Sequence, residues 1–78
     1  MRFIAKDPSS NLDNCPTVWV DDEKQEFVIQ GWKIDDATEA ECLTVGSIPD
    51  TETVVRIPVR MAQILREACD VADGTAVR

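Results

Sequence analysis

NCPTVWVDDEKQEFVIQGWKI, residues 14–34, decides the fold. Thr17-Val18-Trp19-Val20 is β-branched and aromatic, the composition of a strand. Asp21 to Gln25 is a polar turn, and Glu26 to Ile34 returns as the longest strand, with Gly31 inside it. A glycine within a strand marks a bulge or a close backbone approach. Side chains alternate across a strand. Val18 and Val20 therefore point one way, and Thr17 and Trp19 the other. Phe27 and Ile29 share a face, opposite to Val28, Trp32 and Ile34. The register stays open, because a turn of three or four residues fits and one step flips every face. Either register leaves large apolar groups on both sides of the hairpin.

Outward from the hairpin, Arg2-Phe3-Ile4-Ala5 reads as a short strand or arm, and Asp7-Pro8-Ser9-Ser10-Asn11 as a loop that Leu12 to Asn14 continue. Downstream, Asp36 with Glu39 three residues later resembles a capping box. It predicts a helix of at most two turns, ended by Gly46, Ser47 and Pro49. Thr51 to Ile57 reads as a further strand. Pro58 suits a first helical turn, where its missing N–H costs nothing. Beyond it Met61, Ile64, Leu65, Ala68 and Cys69 share one helical stripe, with Arg60, Gln63, Glu67 and Asp70 elsewhere and Gly74 as the stop. The expectation is an α+β fold: a three- or four-stranded antiparallel sheet with one C-terminal helix, about residues 59–71, on one face. Residues 1–78 form one small domain. Residues 1–16 are an N-terminal strand or arm and loop, and residues 72–78 a frayed tail.

A single helix covers one face of such a sheet. Either residues 35–50 fold back over the other face, or a partner does. That stretch offers only Leu43, Val45 and Ile48 as cover, which favours a partner. Trp19, Val28 and Trp32 are the candidate apolar anchors, tryptophan being enriched among interface hot spots. Charge supplies a second candidate. The net charge is −7, and residues 35–53 hold six acids and no Lys or Arg. Asp35, Asp36, Glu39 and Glu41 head that stretch as a candidate recognition surface for a basic partner, the alternative being a solvated face. The same balance argues against direct nucleic-acid binding through Arg56, Arg60 and Arg66.

Catalytic and metal signatures are missing. The chain has no histidine, which excludes Ser/His and Cys/His dyads, and its three glycines are too scattered for a phosphate loop. Asp21/Asp22 and Asp35/Asp36 sit in turns and caps. Cys15, Cys42 and Cys69 are odd in number, with no CxxC spacing, so the expectation is thiols rather than a disulfide or zinc site, in a reducing cytoplasm. No apolar run is long enough for a signal peptide or a membrane span. No enzyme activity, cofactor or metal is expected.

Ser9-Ser10 followed by Asp13-Asn14-Cys15 and a V-x-V strand, a second strand leading into an Asp-rich turn, and a last strand running into RIPVRMAQILREA resemble one family. The chain is similar, over roughly residues 3–70, to small actinobacterial proteins of unknown function related to the developmental regulator BldB. It departs from their pattern where ATEAECLTVGSIPD lengthens the connection before the last strand. The resemblance implies genes beside those for helix-turn-helix DNA-binding regulators, action with or against that regulator, and self-association. It implies no catalytic residue. The expectation is therefore a cytoplasmic protein-interaction module that modulates transcription through such a regulator. The alternatives are a structural homodimer and, less favoured, a direct DNA binder.

Overall fold

A computed structural model describes residues 1–9 and 15–77. Strand β1 (Arg2–Lys6), β2 (Thr17–Asp21) and β3 (Glu26–Gln30) form an antiparallel sheet in the order β1-β2-β3. A second, two-stranded sheet joins β4 (Trp32–Lys33) to β5 (Val55–Arg56). Between these two strands lies helix α1 (Asp36–Leu43). A single 3-10 turn, Val59–Met61, leads into helix α2 (Ala62–Val77). The α+β architecture is the expected one. The loop expected over Ser10 to Asn14 lies outside the described residues, as does Arg78.

The register left open by the sequence is now fixed. Asp21 faces Glu26, so four residues make the turn, and Thr17, Val18, Trp19 and Val20 face Gln30, Ile29, Val28 and Phe27. Side chains close the turn. The Asp21 carboxylate accepts from the Lys24 N–H at 3.1 Å, and the Gln25 amide donates to the Asp22 carbonyl at 2.7 Å. Gln25 takes the left-handed conformation, φ 56°, that lets the chain reverse.

The core lies between the sheet and α2. Val18, Val20, Met61 and Ala68 are buried, with Ile4, Ile57, Ile64, Leu65, Val71 and Ala72 packed around them. Burying a side chain such as Val18 or Met61 contributes about 1.5–3 kcal/mol. The buried stripe thus runs from Met61 in the 3-10 turn through Ile64, Leu65, Ala68 and Val71/Ala72 of α2. Cys69, expected on it, is exposed, because the helix turns it about 100° away from Ala68. The helix also runs past the stop expected at Gly74. Val71 and Ala72 still pack against the core there, and one helical glycine costs only about 1 kcal/mol.

Asp7 fastens the start of α2 to the sheet. It is 1 % exposed. Its carboxylate accepts a bidentate pair from Arg60, Nε at 2.9 Å and Nη2 at 2.6 Å, plus the Ser9 N–H at 3.2 Å. Its own N–H donates to the Pro16 carbonyl at 2.9 Å, which prolongs the β1–β2 pairing by one step.

The strand expected over residues 26–34 is two strands that serve two sheets. The break is at Gly31. A Cβ there would lie 2.5 Å from the Arg56 carbonyl oxygen and 3.0 Å from atoms of Ile57 and Val55. Only glycine lets β5 come so close, as a glycine inside a strand foretold. The strand expected over Thr51 to Ile57 shrinks to Val55–Arg56, because β4 offers two residues before Asp35 turns the chain into α1. Glu52 donates to the Pro49 carbonyl in a turn instead.

Candidate functional site

The residues singled out by sequence separate into two surfaces. The first is a row across the three-stranded sheet, on the face away from α2. Trp19 pairs with Phe3 on one side and with Val28 on the other. Directly opposed residues project to the same face, so Phe3, Trp19 and Val28 stand side by side. Trp19 and Val28 are half-buried and Phe3 is 56 % exposed. Phe3 belongs to this surface although sequence reading left it out. Its place depends on the β1–β2 register, which slips between Phe3 and Ala5 and sends Ile4 to the core. Trp32 does not join the row. The chain changes sheets at Gly31, and Trp32 faces Arg56 in the second sheet, 42 % exposed.

The second surface is acidic. Residues 32–56 form an arm of β4, α1, a long return and β5, in which no residue is buried. The arm spends little of its apolar surface as cover. Leu43 is 49 % and Val45 93 % exposed, and only Ile48 of the three possible cover residues is half-buried.

Helix α1 is held by its N-cap. The cap is Asp35, one residue before the Asp36 expected, and its carboxylate accepts the Thr38 N–H at 2.8 Å. Hydrogen bonds from the Thr38 side chain and from its backbone N–H, with Arg56 nearby, hold the Asp35 carboxyl below its ordinary value. The Arg56 guanidinium also donates to the Thr38 hydroxyl, tying α1 to β5. Asp35, Asp36, Glu39 and Glu41 are all exposed. Asp36 and Glu39 share a face of α1, while Glu41 lies about 140° round the helix from Asp36. The acids therefore surround the helix rather than form one stripe, and with Asp50 and Glu52 they make the whole arm negative.

The arginines considered for DNA contact are engaged: Arg56 with Thr38, Arg60 with Asp7, and Arg66 with the Gln63 side chain at 3.4 Å. Arg60 is held above its ordinary value by the hydrogen bonds to Asp7. Among the described residues no group of three or more His, Cys, Asp or Glu could hold a metal ion. A shallow groove of about 50 Å³ lies between Phe27 and Ala72, lined also by Val20, Gln25 and Glu26. It is far smaller than the ~300 Å³ of a small-molecule site. Cys42 and Cys69 are free thiols and Cys15 is buried. No described helix is long and apolar enough to cross a membrane.

In comparisons with known proteins, no family model, no curated protein and no solved structure matches the chain.

Proposed function

We propose that the chain is a non-enzymatic, cytoplasmic protein-interaction module, an accessory partner that modulates a helix-turn-helix transcriptional regulator. One observation carries this reading. Six acids, with no Lys or Arg among residues 35–53, sit on an arm that buries none of its side chains. Such an arm adds little to the core, and its field attracts a basic surface. A DNA-binding domain presents that surface, so the arm would meet it or compete with DNA for it. Complementary charge acts mainly on association rate and specificity. The chain would not bind DNA by itself. Duplex DNA exchanges counterions for Lys and Arg, and here the net charge is −7.

A second reading, a homodimer of otherwise unknown role, draws on the extent of the surface. The accessible area is 6037 Å² for 8.7 kDa, about 1,300 Å² more than a compact monomer of that mass exposes. A standard interface takes about 800 Å² from each partner.

The test of the first reading is kinetic. Asp35, Asp36, Glu39 and Glu41 are replaced together by Asn and Gln, and association with the helix-turn-helix protein encoded nearest the gene is followed by stopped flow. Asn at position 35 still caps α1, so the arm keeps its shape. The variant is expected to associate at least ten-fold more slowly at low salt, with the two rates converging at high salt. Equal rates at low salt would reduce the acidic arm to a solvated face.

A further inference from the structure

We infer that β3 is a self-complementary edge, and that two copies of the chain join antiparallel along it, centred on Val28, to make one six-stranded sheet. The seam rests on the self-association reading above, not on the acidic arm or its partner.

The sheet has two edges, and they differ. Edge β1 carries Arg2 and Lys6 and is interrupted by the register slip between Phe3 and Ala5. Charges and bulges are the devices by which edges avoid pairing with another chain. Edge β3 has no bulge, and its one charge, Glu26, stands at its first residue. Its five residues, EFVIQ, pair without interruption to β2, contain no proline or Lys, and have no further strand paired to their outer side among the described residues. Phe27 and Ile29 are 50 % and 40 % exposed there. They face the helix side, as their partners Val20 and Val18 do, yet α2 packs over β2 and β1 and stops short of β3. Two large apolar side chains on an undefended edge are an aggregation hazard unless something sits beside them.

The sequence of β3 says what that is. Full antiparallel overlap of two such strands places Val28 against Val28 of the second copy. Phe27 then faces Ile29, and Glu26 faces Gln30. No like charges oppose each other, and each exposed apolar side chain meets an apolar one, the pairing that stabilises antiparallel strands. A two-fold axis makes every such contact twice, as an isologous interface requires. On the other face the axis joins two Phe3–Trp19–Val28 rows into one continuous apolar band.

The register makes the test specific. Phe27→Lys and Ile29→Glu are made separately, at side chains exposed in the monomer. Each puts a charge against an apolar residue at both symmetric positions of the seam. Mass is measured by light scattering after size exclusion, with far-ultraviolet circular dichroism to show that both variants stay folded. The native chain is expected at twice 8.7 kDa at micromolar concentration, and each variant alone as a monomer. Mixed together, the two variants are expected to dimerise again, because Phe27→Lys of one copy faces Ile29→Glu of the other while the second Phe27–Ile29 pair stays native. In the native dimer, alternate amides of residues 26–30 that face away from β2 should also exchange slowly, and quickly on dilution. A native monomer at every concentration overturns both self-association and the seam, and would leave the edge to another protein's strand. Variants that remain dimeric, or a mixture that fails to recover the dimer, overturn the seam alone.

Discussion

The sheet-and-helix body and the arm of residues 32–56 are held together by different means. Every buried residue among those described lies outside the arm: Cys15, Val18, Val20, Met61 and Ala68 among the apolar ones, and Asp7, Pro16 and Thr17 beside them. The arm is held by an N-cap, two hydrogen-bonded turns, the Arg56–Thr38 contact and a two-residue ladder. The chain as a whole is extended. The radius of gyration is 14.1 Å, against about 11.5 Å for a compact chain of this length. Segments with few buried contacts open at lower free energy than the core they extend from. The arm is therefore expected to open locally, well below the global unfolding free energy, while the body unfolds as one unit.

The largest effect tests that division directly. Met61 is fully buried beneath the sheet and Leu43 is half exposed on α1. Met61→Ala leaves a cavity in the core beneath the sheet and should cost about 3 kcal/mol. Leu43→Ala should cost under about 0.5 kcal/mol. Urea midpoints at equal slope measure both. Similar losses would mean that the arm is part of the body after all.

Gly31→Ala probes the junction. The added Cβ would meet the Arg56 carbonyl at 2.5 Å, a backbone atom that cannot swing aside. Forcing β4 and β5 apart should cost about 1–3 kcal/mol. The loss should be local. Amide exchange at Val55 and Arg56 should quicken, while amides in β2 keep their protection. Loss of protection throughout β2 would show that the two sheets unfold together.

The body was legible because its signals are local and periodic. Val18 and Val20 alternate with Trp19, and Met61, Ile64, Leu65 and Ala68 repeat at helical spacing, so each element and its buried side follow from neighbours in sequence. The arm was less legible for a matching reason. Residues 26–34 are uniformly strand-like, and only the approach of Arg56, 25 positions away, decides that Gly31 divides them between two sheets. Asp7 and Arg60 are 53 residues apart, and nothing near either announces the pair. The cap was misplaced by one residue because Asp35 and Asp36 are equally good caps. The choice goes to the residue whose backbone stays extended, Asp35 at ψ 173°. As for the candidate site, residue types and charge located both surfaces, but whether Trp32 shares a face with Val28 was a matter of long-range pairing.

The smallest effect concerns that cap. The Asp35 carboxylate accepts from Thr38, from its hydroxyl and its N–H, with Arg56 close by, and its carboxyl is held below the ordinary value of 3.8. A depressed value means that the folded arm prefers the ionised form. Its contribution is complete above the ordinary value, and is lost as pH falls through the lower, folded value. Between pH 7 and 5 the cap should therefore be insensitive to pH, and α1 should loosen only below about pH 4. The amide resonance of Thr38 reports this directly, moving with the Asp35 titration at a midpoint below 3.8. Asp35→Asn separates the charge from the geometry, since Asn caps helices about as well and does not titrate. In that variant α1 should form at neutral pH and the Thr38 amide should lose its acid transition. Asp35→Ala should weaken α1 at every pH and leave the body's unfolding midpoint nearly unchanged. An acid transition at Thr38 that survives Asp35→Asn would assign the effect to another carboxylate of the arm. A large fall of the global midpoint with Asp35→Ala would erase the distinction between arm and body.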